Sequence, residues 1–277
     1  MTRDDAQIRI TETLTQLTTD ARWPEFLRVM AKFQRYSLNN TLLIFAQRPD
    51  ATMVNGYRAW QVLGRQVQKG ERGITILAPL VKREQDENQE VTVRVAGFRT
   101  VSVFDVAQTH GEPVRGLPER LLTAKHGPLL AAIEAVIPFP VSRVPDLGGA
   151  NGVFHTRERT IALLDHLAPD MQVKTLLHEW AHGLRSPEDT RSRGEEEVVA
   201  ESTAYVVASH FGLDTRAYSV GYVASWSQGD GKAVLAMAEE ILRRSQMMVG
   251  PLEERLKGQD RDWQPDADRT ASQAMER

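Results

Sequence analysis

Apolar residues recur at helical spacing through the first fifty positions. Ile10, Leu14 and Leu17 predict one amphipathic helix, and Phe26, Val29, Met30 and Phe33 predict a second after Trp23-Pro24. Ser37 is placed to cap a third, with Leu38, Leu42, Phe45 and Ala46 on its inner face and Pro49 beyond its end. The period then changes. Residues 73–78, 91–95 and 101–105 read as strands, and the charged, strand-poor segment 82–90 predicts a hairpin loop between the first two. His110, Gly111, Pro113, Gly116 and Pro118 make residues 107–118 a breaker-rich linker. Beyond it, 117–137 predicts a helix interrupted at His126-Gly127-Pro128, 139–144 a strand, and 153–156 with 160–164 a hairpin. Helical spacing returns around Met171, Leu176 and Leu177, again from Glu195 to Val207, and over 233–247. The tail from Gly258 is polar and unpatterned, and mobility is expected of it. The sum is an α+β chain of two domains, 1–110 and 117–257, with a tail at 258–277.

The chemistry concentrates in His178-Glu179-Trp180-Ala181-His182. Residues four apart share a helix face, so both imidazoles can reach one Zn²⁺ while Glu179 stands beside the coordination position left to water. Asp170 is placed to cap this helix after Pro169, and Gly183 sits where it can end or bend. The same five letters also suit a helix whose histidines are surface or hydrogen-bonded residues. A Zn²⁺ held by two imidazoles needs a third protein donor. In the second helical pattern Glu197, Glu201 and Tyr205 share one face, while Val198, Val199, Ala204, Val206 and Val207 turn inward. Two stacked carboxylates repel, unless Glu197 binds the metal and Glu201 accepts the free ring N–H of a ligand histidine. Glu195 and Glu196 suit a solvated helix start. In such a site Glu179 is the base for a metal-acidified water, and peptide hydrolysis follows. Tyr205, His210, Tyr218 and Tyr222 are available to stabilise an oxyanion, and nothing selects among them. His155 and His166 read as structural or surface residues. Imidazole and carboxylate ligands also accept Mn²⁺ or Co²⁺.

With 277 residues, 41% of them hydrophobic, the chain can fill two modest cores. It has no cysteine, which excludes a disulfide scaffold and a thiolate metal site and fits a reducing cytosol. The opening Met1-Thr2-Arg3-Asp4-Asp5 is polar, and no stretch approaches the roughly 18 apolar residues of a membrane span, so a cytoplasmic location is expected. The net charge of −3 is unevenly spread. From Arg22 to Arg83 eleven basic residues face only Glu25, Asp50 and Glu71. A basic first module can gain affinity from phosphates by displacing counterions, although a solvated basic face has the same composition.

The segment from His178 onward, through Glu201-Ser202-Thr203-Ala204-Tyr205-Val206-Val207, Gly212-Leu213-Asp214-Thr215 and Tyr222-Val223-Ala224-Ser225-Trp226, resembles the zincin-type metallopeptidase domain of the ArdC-like antirestriction family of plasmids and phages. The resemblance implies a gluzincin-like site with His178, His182 and Glu197 as ligands of Zn²⁺ and Glu179 as base. Glu197 follows His182 more closely than in better-known gluzincins, so Glu201 or Glu196 stays open as the third ligand. Tyr36-Ser37-Leu38-Asn39-Asn40, Gly56-Tyr57-Arg58-Ala59-Trp60 and Val67-Gln68-Lys69-Gly70-Glu71-Arg72-Gly73 resemble the single-stranded-DNA-binding domain of the same family. DNA contacts are thereby expected of Tyr36, Asn39, Asn40, Trp60, Lys69 and Arg72. Aromatic rings stack on bases, and a Lys-Gly-x-Arg-Gly turn lets N–H groups and cations approach a phosphate. Trp60 equally suits a core, and the turn equally suits a strand start. The family implies a zinc metallopeptidase tethered to single-stranded DNA, acting on a protein or peptide and protecting incoming mobile-element DNA. A non-catalytic DNA-binding shield with a structural metal and a repressor-cleaving peptidase are the alternatives.

Overall fold

The computed structural model describes residues 1–18, 22–85, 91–114, 126–213 and 230–257. They fall into two compact units, Met1–Gln16 with Tyr36–Val114, and Leu17–Arg35 with the described chain from 126 onward. Helix and sheet are mixed in both, as the patterning requires. Among the described residues no helix is long and apolar enough to cross a membrane.

In the first unit, α1 (Arg3–Leu17) buries the expected stripe of Ile10 and Leu14 together with Ala6. Ser37 caps α3 (Leu38–Gln47), its side chain accepting the Asn40 N–H; α2 (Trp23–Lys32) belongs to the second unit. A three-stranded antiparallel sheet runs in the order β1 (Val54–Gly56), β4 (Val91–Asp105), β3 (Ile74–Gln85), with α4 (Tyr57–Val62) following β1. Residues 91–95 and 101–105, expected as two strands, are one. Leu80 pairs with Gly97 and Val81 with Val95, so Ala96 is an extra residue, a bulge that lets the strand continue across the break in pattern. Of the expected loop at 82–90, residues 82–85 belong to β3 and the remainder lies outside the described residues. Part of the expected linker is also folded: a 3₁₀ turn (Val106–Gln108) leads into β5 (Thr109–Gly111), which pairs with β2 (Arg65–Val67).

β3 lies at the sheet edge, where unpaired backbone groups would invite a foreign strand. Helix α3 covers it. The Asn40 amide donates to the Leu77 carbonyl (2.9 Å) and accepts the Leu77 N–H (2.8 Å), and Gln47 does the same for Thr75 (2.8 and 2.9 Å). Two side-chain amides thus take the place of a neighbouring strand.

In the second unit, β6 (Val141–Val144) lies parallel to β8 (Thr160–Leu164), and β7 (Gly152–His155) pairs antiparallel on the other side as the expected hairpin. α6 (Pro169–Gly183) packs on this sheet, and α5 (His126–Val136), α7 (Arg193–His210) and α8 (Gly231–Lys257) pack with it into a helical layer. Their shared core includes Ile133, Phe139, Ile161, Val173, Leu176, Trp180, Val207 and Met248. A Cβ on Gly183 would lie 2.3 Å from the Phe139 ring, so glycine is required where α6 ends. α2 (Trp23–Lys32) packs on α7, although the chain visits the first unit between them. His210 joins these elements, Nδ1 lying 2.8 Å from the Ala31 carbonyl and Nε2 2.9 Å from Glu253 on α8.

Two expectations are corrected here. Ala168 occupies the N-cap of α6 and Asp170 lies in its first turn, because Pro169 already supplies the fixed φ of the first helical position. α8 continues through Pro251 to Lys257 rather than ending near 247, since Leu252 and Leu256 extend its buried stripe past the proline. The expected helix 117–137 is described only from His126. Its earlier part, Tyr218, Tyr222 and the tail from 258 lie outside the described residues.

Replacing Asn40 or Gln47 by Ala leaves two edge groups of β3 unpaired. Each change should lower stability by about 1–3 kcal/mol, read as a lower denaturant midpoint at unchanged slope. An unshifted midpoint for both would show that the edge needs no cover.

Candidate metal centre

α6 presents His178 and His182 one turn apart, and α7 brings Glu197 across to them. The two Nε2 atoms are 3.0 Å apart, and Glu197 Oε2 is 3.5 Å from each. These three side chains form a candidate site for a divalent metal. In a tetrahedral site with bonds of about 2.0–2.1 Å, donor atoms sit roughly 3.3 Å apart, so the triangle has the size such an ion requires.

The other ring nitrogens explain why the donors point inward. His178 Nδ1 is 3.0 Å from Glu201 Oε2, and His182 Nδ1 is 3.3 Å from Glu196 Oε1. Carboxylates accept only, so each Nδ1 carries the proton and each Nε2 presents a lone pair. Three electron-rich atoms then face a common point, which is unfavourable without a cation. Burial works against a charge on His178, but its hydrogen bond to Glu201 and the charges of Glu179, Glu201 and Glu197 outweigh this and raise its pKa. Of the three α7 glutamates near the rings, Glu197 faces Nε2, whereas Glu196 and Glu201 face Nδ1.

Glu179 lies on the same helix with 7% of its surface exposed. Its Oε2 accepts the Phe154 N–H of β7 at 2.8 Å. Gly152 permits this approach, since a Cβ there would stand 2.5 Å from Thr175 Cγ2 and 3.1 Å from Glu179 Cγ. Burial raises the Glu179 pKa, against the pull of both histidines and of the Phe154 N–H.

Behind Glu201 stands Lys174, one turn earlier on α6, with Nζ 3.3 Å from Oε1. Behind Glu196 stands Arg244 of α8, wholly buried, donating Nη1 to Oε1 at 2.6 Å and Nη2 to Oε2 at 3.0 Å. Burial works to raise the pKa of both carboxylates, but the histidine and cation partners hold it below the usual range. Glu196 differs from its expectation as a solvated helix start; Ser192 and Glu195 form the capping box, and Glu196 is turned inward. A signal existed for Arg244: it stands three residues after Ile241 and four before Met248, inside a buried stripe where an unpaired cation is untenable. Of the oxyanion candidates, Tyr205 is buried and His210 is engaged with Ala31 and Glu253. His155 and His166 are exposed.

The residues expected at DNA are divided by the first unit. Trp60 is wholly buried, its indole N–H donating to the Phe104 carbonyl at 2.8 Å, which leaves no ring face for a base. Asn40 is committed to Leu77, and the half-buried Tyr36 donates to the Val54 carbonyl. Asn39 is exposed on α3, and Lys69 and Arg72 are exposed on a turn where Gly70 takes φ +92° and Gln108 holds the Arg72 carbonyl. Exposed apolar and basic residues also line the outer part of the β3–β4 hairpin. Leu80, Val81, Val95 and Phe98 there are 44–60% exposed, and Lys82 lies directly opposite Arg94.

Comparison with known proteins agrees with this architecture. Residues 5–104 match the family model of the N-terminal domain of anti-restriction factor ArdC. The crystal structure of the metal-free antirestriction ArdC protein from plasmid R388 superposes with a TM-score of 0.52 at 19% identity, covering 80% of this chain and 86% of that one. Its Mn(II)-bound structure gives 0.49 at 19% identity, over 83% and 86%. An uncharacterized protein of Bacillus anthracis, pXO2-81, is 26% identical over 266 residues, covering 79% of this chain; the chain spans only 45% of that relative's length. Residues 5–104 are thus similar to the N-terminal domain of anti-restriction factor ArdC, and over most of the chain the fold is shared with the R388 protein.

Proposed function

We propose that this protein is a metal-dependent peptidase, of the zinc type, joined to a unit that binds single-stranded DNA, and that it protects incoming mobile-element DNA. The observation that carries the peptidase reading is the pairing of the His178, His182 and Glu197 triangle with Glu179 on the same helix. His178 Nε2, His182 Nε2 and Glu197 Oε2 would hold the cation. When bound, a divalent ion supplies a Lewis acid and makes a coordinated water more acidic. Glu179 is the base, and its raised pKa suits a carboxylate that must take up a proton and pass it on. The Phe154 N–H fixes its carboxylate, so little orientation is lost at the moment of transfer. β7 is an edge strand beside Glu179, and an extended peptide can pair with such an edge. The N-terminal match to an anti-restriction factor supports the biological role.

For DNA, the exposed residues support a surface made by Lys69 and Arg72 of the turn and by the outer hairpin. Lys82 and Arg94 stand at directly opposed positions, so two cations lie side by side where a phosphate can approach. Phe98 offers a ring that can stack on a base, and Arg99 adds a cation nearby in the strand. No acidic residue occurs in 73–82 or 94–104.

Purified protein should take up Zn²⁺, measured by titration against a chromogenic chelator, and His178→Ala should abolish the uptake. Glu179→Gln should keep the metal and slow peptide hydrolysis by about 10²-fold or more. Protection that survives Glu179→Gln unchanged in cells would favour the non-catalytic shield.

For the DNA surface, Lys82→Ala with Arg94→Ala should weaken binding of a labelled single strand. The slope of log K against log salt should fall by roughly 0.7 per cation removed. Equal affinity and slope in the variant would remove the hairpin from the interface.

A further inference from the structure

We infer that Arg244 is a positioning residue for the metal centre, setting the direction of the His182 ring through Glu196. The inference rests on His178, His182 and Glu197 being metal ligands. Arg244 comes from α8, which supplies no ligand, and its guanidinium is fully buried and reaches both Ala181 of α6 and Glu196 of α7. The fork contacts both Glu196 oxygens, and one of these, Oε1, faces His182 Nδ1. Nη1 also donates to the carbonyl of Ala181, the residue next to His182, at 2.9 Å. Nε donates to Glu240 at 2.6 Å, and Nη2 lies 3.5 Å from Asp189, itself paired with Arg185 and Arg191. One cation therefore grips both the backbone beside His182 and the carboxylate behind its ring.

A buried ion cluster is a poor means of stabilising a core, because desolvation cancels much of the attraction. What it supplies is direction. A bidentate arginine–carboxylate pair fixes the carboxylate plane, and Lys at the same place acts only as a point charge. The two histidines are supported differently in this respect. His178 depends on Glu201 and on Lys174 of its own helix, a partly exposed pair, whereas His182 depends on a residue 62 positions further along the chain, by numbering from 182 to 244. If Arg244 is removed, Glu196 loses its fixed plane and His182 loses the acceptor that aims Nε2 at the site.

The test is Co²⁺ and Zn²⁺ binding to the full chain, with affinity from chelator competition and ligand geometry from the visible absorption of the Co²⁺ form. Arg244→Met should weaken both metals by about 10–100-fold, the range for loss of a group orienting a ligand, and should alter the Co²⁺ bands. Arg244→Lys should recover part of the affinity without restoring the spectrum. Should Arg244→Met fail to fold, the double variant Glu196→Gln with Arg244→Met leaves no charge of that pair unmatched and should show the same weakening. Leu256→Ala, which destabilises α8 away from the cluster, should leave affinity and spectrum unchanged. Wild-type affinity and bands in the folded Arg244 variants, or equal loss in Leu256→Ala, overturns the inference. A wild-type chain that binds neither ion overturns the metal-site reading on which it stands.

Discussion

Two imidazole lone pairs and a carboxylate oxygen, all within 3.5 Å, are held facing one another. That convergence is the constraint the second unit is organised around. Electron-rich atoms at such distances repel, so the arrangement persists only because surrounding groups leave the side chains no better direction. Glu201 and Glu196 claim the Nδ1 protons, Lys174 and Arg244 claim those carboxylates, and Ala181 claims one guanidinium N–H. Each partner is in turn fixed by a helix, and the helices by the apolar core of Val173, Leu176, Val207 and Met248. Stability of the fold and direction of these side chains are in this sense one problem.

Local patterning made the helix of the candidate site legible. The spacing of His178 and His182 and the face shared by Glu197 and Glu201 are periodic facts, and a 3.6-residue turn converts them directly into proximity. That Glu201 stands behind His178 further requires the packing of α7 on α6. Glu196 and Arg244 were not legible in the same way. The acidic run at 195–197 looks uniform in sequence, and only the capping box formed by Ser192 and Glu195 decides that Glu196 turns inward while Glu197 stays half exposed. Arg244 finds its partners on α6 and α7 through tertiary packing, which no local period encodes.

The first unit shows the converse error. Asn40 and Trp60 carry polar or aromatic groups that chemistry associates with nucleic acid, yet both are spent on the backbone, at Leu77 and Phe104. A side-chain amide matches a peptide group in geometry, so it satisfies a sheet edge as readily as a base. The exposed chemistry is instead at Lys69 and Arg72 and along the outer hairpin, where the bulge at Ala96 keeps a strand running through a stretch whose pattern is too broken to announce one.

The placement of α2 bears on how the chain can be divided. Trp23, Phe26 and Met30 leave the ribosome before any of residues 36–114, yet the surface they cover on α7 is made roughly a hundred and seventy residues later by numbering from 23 to 193. Closing so long a loop adds only a slowly growing entropic cost, so the order of synthesis is tolerable. Severing the chain at the junction after residue 114 is another matter. A C-terminal fragment would carry α7 without its cover and His210 without the Ala31 carbonyl, so the two units do not correspond to two separable lengths of polypeptide.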